Sequence, residues 1–222
     1  MDLQDLEKTD LFRGVSRAEA EEMLRRPGTE LRRYQKGETI LRAGDRTRRL
    51  GLVLSGGVTL EHDDAWGNRT VLGHVGEGEV FAETYACLPE APLMVNAVAA
   101  EETQVLFLDV GQLFSHGSDH LQPGAVVRNL LDITARKNLA LSRRSFYTSS
   151  KTIRGRLLSY LSDQAVLQGS SRFSIPFNRQ QLADYLGVDR SALSNELSKL
   201  RREKLVYAEK NQFHLLKQEE FL

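Results

Sequence analysis

The sequence has a single cysteine, Cys87, in 222 residues. One thiol forms no internal disulfide and cannot hold an iron–sulfur cluster within one chain, so its ordinary role is that of a small, partly buried hydrophobe. No stretch approaches the ~18 consecutive apolar residues that a membrane span needs. The opening Met1-Asp2-Leu3-Gln4-Asp5-Leu6-Glu7 is acidic where a signal peptide would be basic and then apolar. These absences point to a cytoplasmic protein with no membrane partner. Net charge is lacking as well, since 30 Lys and Arg balance 30 Asp and Glu. There are no internal repeats, low-complexity segments, Walker-type loops, nucleophile–base pairs or clusters of metal ligands, so the sequence offers no enzyme chemistry.

Apolar residues make up 41% of the chain and charged residues 27%. That is the balance of a globular protein, long enough for one large or two modest domains. The charge is unevenly spread. Residues 151–222 carry 12 Lys and Arg against 8 Asp and Glu, whereas residues 1–150 carry 18 against 22. A basic C-terminal part on an acidic remainder suits a nucleic-acid-binding domain joined to one that does not touch nucleic acid.

Residues 178–204 read as two short helices about a tight turn. Leu182, Ala183 and Leu186 share one face of the first helix. Asn178 is placed to cap it, Gly187 to end it and Val188 to plug the turn. Asp189 can cap the second helix, whose inward stripe is Ala192, Leu193, Leu197 and Leu200. Arg190, Ser191, Ser194, Asn195 and Lys199 are left facing outward. A helix that only packs against something would be apolar in its first turn, and this one is polar, which favours a helix-turn-helix over a plain helical hairpin. Such a helix fits the major groove of duplex DNA. Arg190 can bond guanine O6 and N7 together, and Ser191 and Asn195 can reach neighbouring bases. The N-terminal amides of the first helix, with Arg179 and Gln180, suit phosphate oxygens, and Arg179 is expected mainly to hold phosphate. Val206, Tyr207, Phe213 and Leu215 then flank Lys210-Asn211 as a hairpin, completing a winged helix-turn-helix.

The first half reads differently. Ser16-Arg17-Ala18-Glu19 is a capping-box pattern opening a helix to about Arg26, stopped by Pro27-Gly28. Residues 31–108 then show short strands punctuated by glycine. There is a strand–turn unit at 34–41, a turn at Gly44-Asp45, a strand at 50–54, a turn at Ser55-Gly56-Gly57 and a strand at 58–62. A hairpin tip at Ala65-Trp66-Gly67-Asn68 leads to a return strand at 70–75. This rhythm predicts a sandwich or barrel. Residues 122–147 form a long helical pattern with Pro123 in the first turn. Val127, Leu130, Leu131, Thr134, Asn138, Leu141 and Ser145 recur at spacings of three and four, widened by Ile133 and Ala140. The result is a near-heptad seam of roughly 37 Å at ~1.5 Å per residue, facing either a second copy or its own domain. Thr148-Ser149-Ser150 breaks the pattern and reads as a hinge. Residues 151–168 resume as a helix with Ile153, Leu157, Leu158 and Leu161 inward.

Gly37-Glu38, Gly44-Asp45, Leu52-Val53-Leu54-Ser55-Gly56-Gly57-Val58 and Gly76-Glu77-Gly78-Glu79-Val80-Phe81-Ala82-Glu83, in that order, resemble the β-roll of cyclic-nucleotide-binding domains. With the winged helix-turn-helix behind them, residues 10–216 resemble the cyclic-AMP receptor protein/Fnr superfamily of bacterial transcription regulators. The resemblance implies an α+β architecture. Residues 1–120 would be a jelly-roll-like effector-sensing β-roll, residues 121–147 a dimerisation helix, and residues 151–222 a winged helix-turn-helix DNA-binding domain. It implies a homodimer on a palindromic operator, with Asn138 pinning the register of the dimer seam and RNA polymerase as a further partner. Matched to the cyclic-AMP receptor, Arg190 falls on a guanine-reading arginine, while Ser191 replaces a glutamate and Asn195 a second arginine.

The family's ligand pocket carries over only in part. Its phosphate cassette has a glycine, then a glutamate that holds the ribose hydroxyl, then an arginine that neutralises the cyclic phosphate. Glu83 stands at the glutamate position, but Ala82 takes the place of the glycine. The arginine's position falls within Pro92-Leu93-Met94-Val95, and no Arg or Lys occurs from Tyr85 to Gly111. A buried phosphate without a cation is strongly unfavourable, so a cyclic nucleotide bound in the family's usual way is not expected. Phe81, Tyr85, Leu93 and Met94 beside Glu83 suggest an apolar effector pocket instead. Asn138, Leu141 and Ser142 fall near where relatives' helix residues meet the ligand. Relatives that bind aromatic acids, 2-oxoglutarate or haem keep a sensing role open. Haem needs an axial ligand, and His62, His74, His116, His120 and His214 lie in no haem-specific motif. The expected function is a homodimeric, sequence-specific DNA-binding transcription regulator controlled by a small effector other than a cyclic nucleotide. The alternatives are a constitutive regulator with a purely structural roll, and a haem-based gas or redox sensor.

Overall fold

The structure, a computed structural model, describes residues 6–63, 66, 69–114 and 124–216. It divides into two compact units, residues 1–136 and 137–222. Pro123, His116, His120 and the expected hairpin tip apart from Trp66 lie outside the described residues.

In the first unit, α1 (Arg17–Arg25) opens with the expected capping box. The Ser16 hydroxyl oxygen accepts from the Glu19 N–H, and the Ser16 N–H donates to the Glu19 carboxylate at 2.9 Å. The strands that follow are β1 (Glu30–Tyr34), β2 (Thr39–Leu41), β3 (Arg49–Ser55), β4 (Val58–Asp63), β5 (Arg69–Val75), β6 (Val80–Phe81), β7 (Asn96–Ala99) and β8 (Thr103–Asp109). They form two antiparallel four-stranded sheets, ordered β1-β8-β3-β6 and β2-β7-β4-β5. The strand–turn unit expected at 34–41 is in fact the end of β1 and the whole of β2, which belong to different sheets. That turn passes the chain between layers.

The central strands of the first sheet, β3 and β8, are buried on both faces, while the edge strand β1 is largely exposed. Leu50, Leu52, Leu106 and Leu108 pack with Leu6, Leu11 and Phe12 on one side. Val53, Phe81, Val105 and Phe107 pack on the other against Val58, Val75, Ala97 and Ala99 of the second sheet. Double-sided burial is why β3 and β8 read as near-continuous apolar runs instead of alternating ones. The Phe81 ring lies over Gly51, where an added Cβ would come within 2.4 Å of it, and it meets Phe107 edge-on at 6.4 Å. Covering such a ring contributes about 1.5–3 kcal/mol. Two short helices, α2 (Glu83–Cys87) and α3 (Val110–Phe114), have no signal in the sequence pattern.

The long helix, α4 (Ala125–Thr148), begins in the first unit and ends in the second. Its apolar stripe divides in a way the spacing does not reveal. Val126 and Leu130 are buried in the core of the first unit, with Ile133 packed against them. Leu131, Asn138, Leu141 and Ser145 are exposed, and Val127 and Thr134 are half-buried. Leu130 and Ile133, expected on the pairing seam, therefore pack at home, while the neighbouring face stays open.

The second unit contains α5 (Ile153–Gln168), β9 (Arg172–Ser174), α6 (Arg179–Leu186), α7 (Arg190–Arg202), β10 (Val206–Glu209) and β11 (Gln212–Leu215). Thr152 caps α5, its side chain accepting from the Gly155 N–H at 3.0 Å. Leu157, Leu161, Leu182, Leu186, Leu193 and Leu200 make the fully buried centre. The expected hairpin gains a third strand, giving the order β10-β11-β9. Phe173 of β9 pairs in register with Phe213 and stacks on it at 6.1 Å. The last turn of α4 is part of this packing. Tyr147 is 1% exposed, its hydroxyl bonds to Asp163, and its ring meets Tyr160 edge-on at 5.4 Å. The Arg156 Nε donates to the Ser150 carbonyl at 2.8 Å. The break after α4, which the sequence reads as a hinge, is braced by Tyr147 before it and by Arg156 after it. Among the described residues no helix is long and apolar enough to cross a membrane.

Candidate nucleic-acid interface and effector site

α6 and α7 meet across a turn of three residues, Gly187, Val188 and Asp189. Gly187 takes φ +64°, a conformation an L side chain would resist, and its N–H returns to the Ala183 and Asp184 carbonyls. Asn178 forms a reciprocal capping box. Its side-chain oxygen accepts from the Gln181 N–H at 3.0 Å, and its own N–H donates to the Gln181 side chain at 2.9 Å. At the start of α7 the Asp189 carboxylate accepts from the Ser191 hydroxyl and from the Ala192 N–H, the latter at 2.9 Å. These bonds, the Ser191 hydroxyl foremost, hold the Asp189 carboxyl below the usual aspartate range.

The expected DNA-facing residues fall into three groups. Arg190 and Asn195 are exposed on α7, and among the described residues their side chains take part in no hydrogen bond or ion pair. Ser191, Lys199 and Gln180 are exposed but engaged. Ser191 donates to Asp189, Lys199 lies 3.5 Å from Glu196, and the Gln180 amide donates to Asp184 at 2.8 Å. Ser194 and Arg179 depart from expectation. Ser194 is half-buried and donates back to the Arg190 carbonyl at 2.9 Å. Arg179 is also half-buried, its guanidinium donating to the Lys210 carbonyl at 3.3 Å and lying 5.7 Å from the centre of the Phe213 ring. Desolvation lowers its pKa from the ordinary arginine value. Ala192, expected in the buried stripe, is only half-buried.

Three arginines that the sequence reading did not single out hold this motif together. Arg156 donates to the Leu186 and Gly187 carbonyls, both at 3.0 Å. Arg144 donates to the Tyr185 and Asp184 carbonyls at 3.0 and 3.2 Å. Carbonyls at a helix C-terminus lack intrahelical partners and carry partial negative charge, so cations satisfy them. Arg154 bonds Glu196 at 2.7 Å and Glu203 at 2.6 Å, which draws both carboxyl groups on or beside α7 below the usual glutamate range. The only trace of these contacts in the sequence is a basic side chain on each helix, and that does not say where it points.

In the first unit, Ala82 precedes α2 with φ +59° and ψ +11°. It stands where the cassette has glycine and adopts the backbone that glycine takes without penalty. Glu83, the first residue of α2, is buried at 6% exposure. Tyr85 is half-buried, and its hydroxyl oxygen accepts from the Met94 N–H at 3.4 Å. Leu93 is buried and pinned to the Gly44-Asp45 turn by two backbone bonds of 2.8 Å. Met94, expected to line a pocket, is 73% exposed, and Phe81 belongs to the core between the sheets. Asn138, Leu141 and Ser142 are exposed residues of the second unit. Cys87, expected to be partly buried, is exposed. Among the described residues no three His, Cys, Asp or Glu side chains gather at metal-binding distance.

A family model of the cyclic nucleotide-binding domain matches residues 31–116, and a model of the Crp-like helix-turn-helix domain matches residues 155–221. The chain belongs to the cyclic-AMP receptor protein/Fnr superfamily. Its β-rich first domain, long helix and C-terminal helix-turn-helix domain are the superfamily's α+β fold. It is 35% identical over 91 residues to the probable transcriptional regulator flp of Lacticaseibacillus casei, a match spanning 41% of this chain and 42% of that one. It is 24% identical over 183 residues to the cAMP-activated global transcriptional regulator Vfr of Pseudomonas aeruginosa, spanning 79% of this chain and 84% of Vfr. The catabolite activator protein of Thermus thermophilus, a solved structure, superposes at a TM-score of 0.50 with 26% identity and 93% coverage of both chains.

Two outcomes are expected of this superfamily member. Ala82→Gly relieves a left-handed alanine and should raise stability by about 1 kcal/mol, read as a higher urea midpoint at unchanged slope; an unmoved or lower midpoint would show that Ala82 is not strained. The Asp189 cap carries the opposite sign with acid. Its depressed carboxyl stabilises α7 above the ordinary aspartate value of about 3.9, and that contribution fades as pH falls through the lower folded value. Carbon NMR titration of Asp189 should show the low value, and Asp189→Asn should keep the helix while removing this acid sensitivity.

Proposed function

We propose that the chain is a sequence-specific DNA-binding transcription regulator that acts as a homodimer and answers to a small effector other than a cyclic nucleotide. The observation that carries this reading is α7. Leu193, Leu197 and Leu200 fix one face in the core, while Arg190 and Asn195 extend from the other with no side-chain partner among the described residues. A helix oriented in this way can enter the major groove, with the Arg190 fork on guanine O6 and N7 and Asn195 on a base further along. Ser191 keeps its acceptor lone pairs although its proton goes to Asp189. Lys199 and the first amides of α6 after Asn178, including that of Gln180, are suited to backbone phosphates.

The open face of α4 supports pairing. Leu131, Asn138, Leu141 and Ser145 would meet their copies, with the two recognition helices about 34 Å apart on a palindromic operator. Arg144 and Tyr147 join the last turn of α4 to the DNA-binding unit, so a change in how α4 pairs would be carried to α7. Only an effector that binds the two arrangements unequally can shift their balance. Glu83, Tyr85 and Leu93 are the roll residues best placed for such a ligand, and the cation-free stretch from Tyr85 to Gly111 argues against a cyclic phosphate. RNA polymerase is the partner such a regulator would meet on DNA, in the cytoplasm, and no enzymatic step is required.

The test is binding-site selection with wild type and Arg190→Ala. Wild type should select a two-fold palindrome. The variant should lose about 1–3 kcal/mol and its preference at one base per half-site. An unchanged half-site would move the specificity role to Asn195 or Lys199, and a wild type that selects no palindrome would refute the reading. Titration calorimetry with cyclic AMP should give no binding at micromolar levels, and a single low-micromolar site per chain would overturn the effector assignment.

A further inference from the structure

We propose that Arg179 is a positioning residue that locks the tip of the wing, and that it acts on DNA through Lys210 instead of through a phosphate contact of its own. Three observations converge on the β10–β11 turn. The Arg179 guanidinium donates to the Lys210 carbonyl at 3.3 Å and lies 5.7 Å from the centre of the Phe213 ring on β11. The Asn211 side-chain amide donates to the Ile175 carbonyl at 3.3 Å, and the Ile175 N–H donates to the Asn211 carbonyl at 3.0 Å. Lys210 itself holds φ +51°, a backbone that a two-residue hairpin turn calls for and that few non-glycine residues adopt. A two-residue hairpin tip is ordinarily among the loosest parts of a domain. This one is tied to the N-terminus of α6 on one side and to the end of β9 on the other.

Arginine suits the task and lysine does not. A planar guanidinium can stack on a ring and donate to a carbonyl while half-buried, whereas an ammonium is a compact, strongly hydrated charge. The consequence for Lys210 is direct. With its carbonyl held by the Arg179 side chain, Lys210 presents an exposed ammonium from a tip tied to the start of α6, whose first amides suit a phosphate. The last step of this proposal rests on the DNA-binding reading; the locking of the wing does not.

The first measurement therefore needs no DNA. Amide hydrogen exchange on the full chain should show the wing and Ile175 exchanging several-fold faster in both Arg179→Lys and Arg179→Ala, with α7 unchanged. Wing exchange equal to wild type in both variants would overturn the proposal. The second measurement is a double-mutant cycle on DNA affinity. Lys210→Ala should weaken wild-type binding to all sequences alike and should have little further effect in either Arg179 variant. Arg179→Lys should be as weak as Arg179→Ala, since it keeps the charge but not the lock. Full rescue by Arg179→Lys, or additive losses from Arg179 and Lys210, would instead make Arg179 an independent phosphate contact. A wild-type protein that binds no DNA would remove the DNA-binding reading and leave the exchange result standing.

Discussion

The carbonyl groups at the C-terminal end of α6 are the constraint around which the second unit is built. A helix leaves its last carbonyls without partners, and a sharp turn into another helix adds more peptide groups with nowhere to bond. Here two guanidinium groups, Arg144 from α4 and Arg156 from α5, take those carbonyls. Gly187 supplies the left-handed corner, and Asp189 satisfies the first amides on the far side. The buried leucines provide most of the cohesion, but apolar contact is non-directional. The arginines give it direction: they bring α4, α5 and α6 to one point, and Arg154 then holds α7 from its flank through Glu196 and Glu203.

What could be read from the sequence follows from how local each signal is. The Asn178, Gly187 and Asp189 caps depend on neighbours within a few residues, and the Leu182, Ala183 and Leu186 face depends on one helical turn, so both were legible and both are found. Arg144, Arg154 and Arg156 were not legible. A basic residue on a helix looks the same in sequence whether it faces water or a carbonyl from a distant segment. Leu130 and Leu131 make the same point inside one stripe. They are adjacent and equally apolar, and only packing decides that the first turns into the core and the second outward. The strand β9 was missed because its three residues make sense only as a partner for β11.

The candidate effector site was legible where it depends on backbone and obscure where it depends on side-chain direction. Ala82 could be matched to a glycine position, and its left-handed backbone agrees with that match. Met94 could not be oriented in advance, because neighbouring residues along an extended segment point to opposite sides. The bonds between Leu93 and the Gly44-Asp45 turn fix Leu93 inward and leave Met94 outward. The roll thus keeps the superfamily's frame, including a buried Glu83, around a segment with no positive charge.

The free state of Arg190 and Asn195 bears on how such a protein can diverge. Among the described residues neither side chain caps a helix, fills a cavity or neutralises a buried charge, so the packing seen there places little constraint on either. Ser191 and Arg179 are different, since each is tied into the scaffold through Asp189 or through the wing. Two of the positions that face outward can therefore be exchanged by single mutations with little thermodynamic penalty, while their neighbours resist change. Under the proposed base-reading role, a duplicated copy of this gene would acquire a new operator through Arg190 and Asn195 while remaining folded at every intermediate step, and these two positions would be the path of least resistance for rewiring.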